Sequence, residues 1–261
     1  MVWKSFAAAL SFALILGFAH AKPDKDKSEP KTDKTPAFKT VEIDNILSEA
    51  DGKDAKLGNP SKKYPVTLHK DKTYIIELTS PDKDFDPYLR LLNKRGEQLA
   101  EDDDGGGDLN ARIIFSATET AVHDVIVTAF DEQVGKFSLK VREYVLKGEA
   151  KPRDVDGNGV NITARIGEND QSNLGKLAKR YSVALKGGQT YTIDLESQDI
   201  DCYLYLFDNN SKLVAQDDDS AGDLNSRIRF RPTQDGVYHI IATSLDGLDT
   251  GEFTLKVRKG D

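Results

Sequence analysis

The sequence predicts an all-β protein made of two tandem antiparallel β-sandwiches of jelly-roll type, set behind an export leader and a charged tether. Three observations carry this. Apolar residues alternate with polar ones at period two in run after run, as in Tyr181, Val183 and Leu185 or Phe253, Leu255 and Val257. Turn residues such as GG, DNN and DGLDTG separate the runs, and no stretch shows a convincing helical period. The whole pattern then occurs twice.

The first 21 residues, MVWKSFAAALSFALILGFAHA, hold one cation at Lys4, an apolar run to Phe18 and the small-residue ending Ala19-His20-Ala21. That is the layout of a signal peptide cleaved after Ala21, and the apolar run falls short of the ~20 residues needed to span a bilayer. The expected location is therefore secreted or periplasmic. Loss of Lys4 with the leader takes the net charge from −8 to −9. Residues 22–40, KPDKDKSEPKTDKTPAFKT, have only Ala37 and Phe38 as apolar members, which is too little burial to offset the entropy of ordering. They read as a flexible tether.

The repeat begins next. YPVTLHKDKTYIIEL (Tyr64 to Leu78) corresponds to YSVALKGGQTYTIDL (Tyr181 to Leu195). DPYLRLLNKRGEQLAEDDD (Asp86 to Asp104) corresponds to DCYLYLFDNNSKLVAQDDD (Asp201 to Asp219), and GKFSLKVRE (Gly135 to Glu143) to GEFTLKVRK (Gly251 to Lys259). The offset runs 117, 115 and 116 residues, so only short loop changes separate the copies. A period of that length is a whole small domain and not a solenoid unit. The expected boundaries are 41–143 and 159–259, joined by a linker over 144–158. Seven or eight strands per copy suit a sandwich.

The order Y-x-V-x-L, G-x-x-Y-x-I-x-L, D-x-Y-L-x-L, a D-D-D turn, R-I-x-F, G-x-Y-x-I and G-x-F-x-L-x-V resembles the bacterial pre-peptidase C-terminal domain, a secreted β-sandwich usually appended to extracellular proteases, and its collagen-binding relatives. The resemblance covers both repeats. It implies a non-catalytic accessory module that aids secretion or binds substrate or matrix, and some relatives bind calcium. No peptidase domain accompanies the motifs in this chain, which leaves open what an accessory role would serve.

Within the repeat, DDDGGGDLNARIIF (Asp102 to Phe115) and DDDSAGDLNSRIRF (Asp217 to Phe230) agree at ten of fourteen positions. Asp102, Asp104, Asp108 and Asn110, with Asp217, Asp219, Asp223 and Asn225, offer hard oxygen donors of the kind Ca²⁺ takes, and a cation would relieve repulsion among adjacent carboxylates. The spacing departs from an EF-hand loop, which needs Gly at its sixth position and Glu at its twelfth; the twelfth position here is Ile113 or Ile228. The alternative is a solvated turn whose Asp side chains cap backbone N–H groups, with Arg112 and Arg227 pairing across it. A glycosidase-type pair is disfavoured because adjacent Asp residues on a turn do not face one another across a cleft. Asp84 and Asp86, like Asp199 and Asp201, read as turn caps that would join a metal site if their turn folds beside the triple Asp. At the junction, Asp154, Asp156 and Asn158 match the first half of a calcium loop, but Arg165 stands at position twelve, and a tight turn serves as well.

Two surfaces are candidates for ligand binding. Arg227, Arg229 and Arg231 alternate along one strand face, where the first copy has Arg112, Ile114 and Ser116; they suit an anionic glycan or a carboxylate-bearing peptide, or ordinary surface ion pairs. Tyr203, Tyr205 and Phe207 alternate with Cys202, Leu204 and Leu206. Either the aromatic set forms an exposed platform for sugars or peptides, or the strand is buried on both faces. Cys202, the one cysteine, then belongs to a core and has no disulfide partner in the chain. The acidic balance disfavours nucleic acid, and no second apolar run is long enough to cross a membrane. Asn161-Ile-Thr matches a glycosylation acceptor.

No H-E-x-x-H, G-x-S-x-G or phosphate loop is present, and His123 and His239 do not align with each other between copies. The expected function is a non-enzymatic module that recognises an extracellular protein or polysaccharide, with calcium as its one expected cofactor. The alternatives are a calcium-stabilised structural spacer and, third, a small hydrolase with an unrecognised site.

Overall fold

A computed structural model describes residues 37–147, 151–155 and 157–260. The leader, its cleavage site and most of the tether lie outside the described residues. Among the described residues every regular element is a strand. The first half runs β1 (Val41–Leu47), β2 (Gly52–Lys53), β3 (Pro60–Leu68), β4 (Thr73–Thr79), β5 (Pro87–Leu92), β6 (Gln98–Asp102), β7 (Ala111–Ser116), β8 (Ala121–Ala129) and β9 (Gly135–Tyr144). The second runs β10 (Arg153–Asp154), β11 (Val160–Ile166), β12 (Ala178–Leu185), β13 (Tyr191–Glu196), β14 (Cys202–Asp208), β15 (Leu213–Asp217), β16 (Ser226–Phe230), β17 (Gly236–Ser244) and β18 (Gly251–Lys259).

Each half is a two-sheet sandwich. The first pairs a sheet of order β1-β9-β4-β7 with one of order β2-β3-β8-β5-β6; the second pairs β11-β18-β13-β16 with β10-β12-β17-β14-β15. The orders correspond strand for strand, and the long strands interleave between the sheets as in a jelly roll. Period-two alternation sends one set of side chains inward on each sheet. Tyr74, Ile76, Leu78, Leu89, Val127 and Leu139 fill the first core; Tyr191, Ile193, Leu195, Leu204, Ile240 and Leu255 fill the second. Both buried tyrosines also tie a turn: the hydroxyl of Tyr74 accepts from the backbone N–H of His69 at 2.9 Å, and that of Tyr191 from Lys186 at 3.0 Å. A hydroxyl with a partner can be buried without the desolvation cost of an orphan, which accounts for Tyr in the G-x-x-Y position.

Two expectations at the boundaries are corrected. The tether was expected to reach residue 40, yet Phe38 packs edge-on against Tyr74 with centroids 4.9 Å apart, so the last residues belong to the first sandwich. The segment expected to be a plain linker is built into the fold. Arg153–Asp154 add a parallel edge strand to Val183–Ala184, and Val155 sits in the second core. In the first sandwich that edge is filled instead by β2, antiparallel to β3.

The two sandwiches pack face to face, giving four layers of sheet within one compact unit, Phe38–Asp261. The seam joins the outer face of β1-β9-β4-β7 to the outer face of β10-β12-β17-β14-β15. Ile75, Ile114 and Tyr144 of the first meet Leu174, Tyr205, Phe207 and Ile241 of the second. Tyr144 and Phe207 stack at 4.8 Å between centroids. Polar bonds rim the seam: the N–H of Leu213 donates to Thr73 Oγ1 and Ser116 Oγ at 3.0 and 2.9 Å, Arg142 donates to the Asn173 carbonyl at 2.9 Å, and Leu146 N–H to Ser211 Oγ at 2.8 Å.

Candidate functional site

The doubled acidic turn joins β6 to β7 and β15 to β16. In both copies its first carboxylate closes the turn. Asp102 Oδ2 accepts the backbone N–H groups of Gly105 (2.9 Å) and Arg112 (2.7 Å); Asp217 Oδ2 accepts those of Ser220 (3.1 Å) and Arg227 (2.7 Å). The asparagine ties the turn to its neighbour. Asn110 Oδ1 accepts from the N–H of Ser80 and Asn225 Oδ1 from that of Ser197, at 3.2 and 2.9 Å, while the amide NH₂ groups donate back to Gly107 and Gly222. Asp108 and Asp223 adopt φ of 54° and 53°, the left-handed region that Asp tolerates better than most residues. A motif that closes, bends and anchors one turn thus explains why it is spelled out twice.

The arginine of the motif does something other than expected. Its Nε donates to a carboxylate on the neighbouring strand, and in the first copy Arg112 Nη1 also donates to the Gly105 carbonyl of the turn at 3.3 Å. Arg112 and Arg142 bracket Glu77 at 3.1 and 3.3 Å, and Arg227 and Arg258 bracket Asp194, whose carboxylate is 1% exposed. A carboxylate so enclosed requires both partners, since an unpaired buried charge is costly.

The eight residues expected as calcium donors do not converge. Asp102, Asn110, Asp217 and Asn225 have oxygens committed to backbone N–H groups, and Asp104, Asp108, Asp219 and Asp223 are exposed. Among the described residues no group of three or more His, Cys, Asp or Glu is placed to hold a metal ion. At the junction, Asp154 lies in β10, Asp156 is outside the described residues, and Asn158 stands before Gly159, whose φ is 73°.

The turns preceding β5 and β14 do fold beside the triple Asp. Burial, then Asp104, Asp103 and Asp131, raise the pKa of Asp86; burial, then Asp218, Asp249, Asp219 and Asp246, raise that of Asp201. Asp86 Oδ1 is buried with no hydrogen-bond partner among the described residues.

The copies differ in where the turn faces. The first turn lies in the seam. A Cβ on Gly107 would come within 2.8 Å of Leu248, whereas one on Gly222 would meet nothing within 4 Å. Burial pushes Asp102 up to about 6. Beside it, Lys176 is 2% exposed, lies 5.8 Å from the ring centre of Tyr203 and donates to the Leu245 carbonyl at 2.5 Å; burial, then Arg112, lower it to about 8. Asp102, Arg112, Lys176, Tyr203, Tyr205 and Gln216 enclose a cavity of 120 Å³ there.

The tyrosine platform is corrected: the aromatic set of β14 faces the seam, and Tyr205 is 4% exposed. Cys202 faces the core of its own sandwich, and burial pushes its thiol up to about 12. The arginine stripe lies on the opposite, outer sheet of the second sandwich. Arg227 is committed to Asp194, Arg231 Nε donates to the Gly188 carbonyl at 2.8 Å, and Arg229 is exposed without an ion pair among the described residues. Asn161 is exposed on β11 of the same sheet.

One constellation had no sequence signal. Ser182 Oγ and His239 Nδ1 lie 2.8 Å apart across β12 and β17, with His239 Nε2 3.4 Å from Asn209 Oδ1. The order resembles hydroxyl, base and orienting amide, and burial lowers the imidazole pKa, favouring the neutral base. Ser182 and His239 are nevertheless both buried, which denies a substrate access. His123 is a separate core residue against Phe115, its Nδ1 3.0 Å from the Ala121 carbonyl.

No curated protein matches the chain. Among solved structures, the CUB1-EGF-CUB2 domain of human MASP-1/3 aligns at 10% identity and TM-score 0.26, covering 85% of this chain and 99% of that one. The CBM22-1-CBM22-2 tandem of Paenibacillus barcinonensis Xyn10C aligns at 9% and 0.26, covering 87% and 94%. Tripeptidyl peptidase 2 aligns at 10% and 0.28 over 84% of this chain and 23% of that one. A family profile matches residues 178–244, from the start of β12 to the end of β17, which include the acidic turn, the seam-facing β14 and the Ser182–His239 pair. That profile describes the bacterial pre-peptidase C-terminal domain, and its match falls within the second sandwich.

Proposed function

We propose that the protein is an exported, non-catalytic accessory module that recognises an extracellular or envelope polymer. The observation that carries this reading is the fate of the doubled motif. Asp102 and Asp217, which open the triple Asp, and Arg112 and Arg227 of R-I are spent on holding turns and strands. What stays free to act is surface: flat sheet faces and loops on a stiff four-layer body. The family match to a module usually appended to proteases supports the accessory part, and the leader motif supports export.

The test is retention of the chain, without its leader, on insoluble polymers, with fibrillar collagen, cell-wall sacculi and charged and neutral polysaccharides as separate arms. Saturable binding to at least one, with no turnover of it, is the expected result. A chain that binds none of them, or that hydrolyses one and loses this on Ser182→Ala, would sink the reading. The extensive seam favours a second reading, a rigid spacer that fixes the distance between its two ends and binds nothing.

A further inference from the structure

We infer that the outer face of the sheet β11-β18-β13-β16 is a docking surface for an acidic polysaccharide. This deepens the proposed function and rests on it. The two copies share one device and part around it. Both keep the carboxylate bracketed by two arginines, Glu77 with Arg112 and Arg142, Asp194 with Arg227 and Arg258, so that triad belongs to the scaffold. Around it the copies diverge. Where the first sandwich has Ile75, Ile114 and Ser116, the second has Thr192, Arg229 and Arg231. The isoleucines are accounted for by the seam they fill. The second sandwich has no seam on this face, so its arginines answer to something else.

Register places the groups. Thr192 pairs with Arg258 on one side and Arg229 on the other, so two exposed guanidinium-bearing positions flank a buried threonine across one row of the sheet. Two strand spacings put them about 10 Å apart at the backbone. Arg227 stands two residues before Arg229 on β16, about 7 Å along the strand, and Arg231 follows just past the strand's end. The next rows offer Asn161, Lys256, Thr163 and Thr254. On this face Arg227 and Arg258 hold Asp194 and Lys256 holds Glu196, which leaves Arg229 as cationic excess beside Arg231, in a chain whose net charge is −8.

The chemistry of the occupant follows. Guanidinium groups present paired donors that match carboxylate and sulfate oxygens, and threonine and asparagine add neutral hydrogen bonds suited to sugar hydroxyls. None of the large exposed apolar side chains, such as Ile46, Leu99, Phe130 or Leu224, lies on this face. A protein partner would want an aromatic or aliphatic anchor, and there is none here. A cationic, hydroxyl-bearing sheet face around Arg229 suits an extended polyanion.

The experiment uses the chain without its leader and two probes, heparin as a sulfated and carboxylated polysaccharide and dextran as its neutral counterpart. Expected are retention on heparin that falls as salt rises, none on dextran, and at least tenfold weaker binding by the double variant Arg229→Glu/Arg231→Glu. A control variant on the first sandwich, Lys140→Glu, binds as wild type. Passage of the wild type through heparin overturns the inference, while binding to any other polymer in the panel leaves the accessory reading standing. Equal retention of the double variant, with its melting temperature unchanged, overturns the face. Binding to duplex DNA as tight as to heparin overturns the polymer class.

Discussion

Replacing Ile114 by Arg transplants into the seam the residue that the second sandwich carries at the same place, Arg229. The sheet itself accepts the change, because the equivalent strand β16 is built with it. The seam does not. Ile114 is 8% exposed there, in one cluster with Tyr205, Phe207 and Leu174. Its lost burial costs about 2 kcal/mol. The new guanidinium lands in a cavity that Arg112 and Lys176 already line and whose carboxylate, Asp102, is committed to two backbone N–H groups, so desolvation and like-charge repulsion add several kcal/mol. The sum, roughly 5 kcal/mol or more, is charged against the contact between sandwiches and leaves each core intact. Wild-type protein is expected to unfold in one transition, and Ile114→Arg in two, with far-UV circular dichroism preserved, tyrosine near-UV signal reduced and a larger radius of gyration by solution scattering. An unchanged single transition with an unchanged radius would refute the claim that this seam is what couples the halves. The mirror substitution Arg229→Ile, on an exposed face, is expected to change stability by no more than ~0.5 kcal/mol.

Removing the turn carboxylates separates their roles. Asp217→Ala should cost ~1–2 kcal/mol in chemical denaturation by orphaning two backbone donors at the surface, and Asp102→Ala more, because its turn is pressed into the seam. Asp102 also predicts a pH dependence. Its folded pKa, about 6, stands above the ordinary carboxylate value, so the folded state holds the extra proton and stability falls as pH rises from about 4 to 6. The difference between wild type and Asp102→Asn over that window should be at most ~3 kcal/mol, and a difference of the opposite sign would overturn the assignment. Because the donors do not converge, thermal unfolding in EDTA and in millimolar Ca²⁺ should agree within about 1 °C, since an ion bound to the folded state alone would raise it. Cys202, buried with its thiol pushed up to about 12, should react with a disulfide reagent only at the rate at which the protein unfolds.

Alternation, turn residues and the repeat were enough to place the strands. β12, β13, β16 and β18 fall where Tyr181, Tyr191, Ile228 and Phe253 begin their runs, because period two follows from the pleat alone and needs no knowledge of the partner sheet. The capping role of the acidic turn was also readable, since Asp and Asn bond locally to backbone a few residues away. Their longer bonds were not. Asn110 meets Ser80 and Arg112 meets Glu77 only when β4 and β7 lie side by side.

The seam marks the division most clearly. In sequence, Tyr203, Tyr205 and Phe207 alternate with Cys202, Leu204 and Leu206, so one strand carries apolar residues on both of its faces. They do not say whether water, a ligand or the other half of the chain covers the outer one. That answer sat in the differences between the copies, Ile75 against Thr192 and Ile114 against Arg229, and those differences acquire meaning only once the two faces are seen to meet or to stay apart. Periodicity is a property of each strand's backbone and is written locally. Which outward face is buried depends on free energy gained between surfaces more than a hundred residues apart, and only the folded chain decides it.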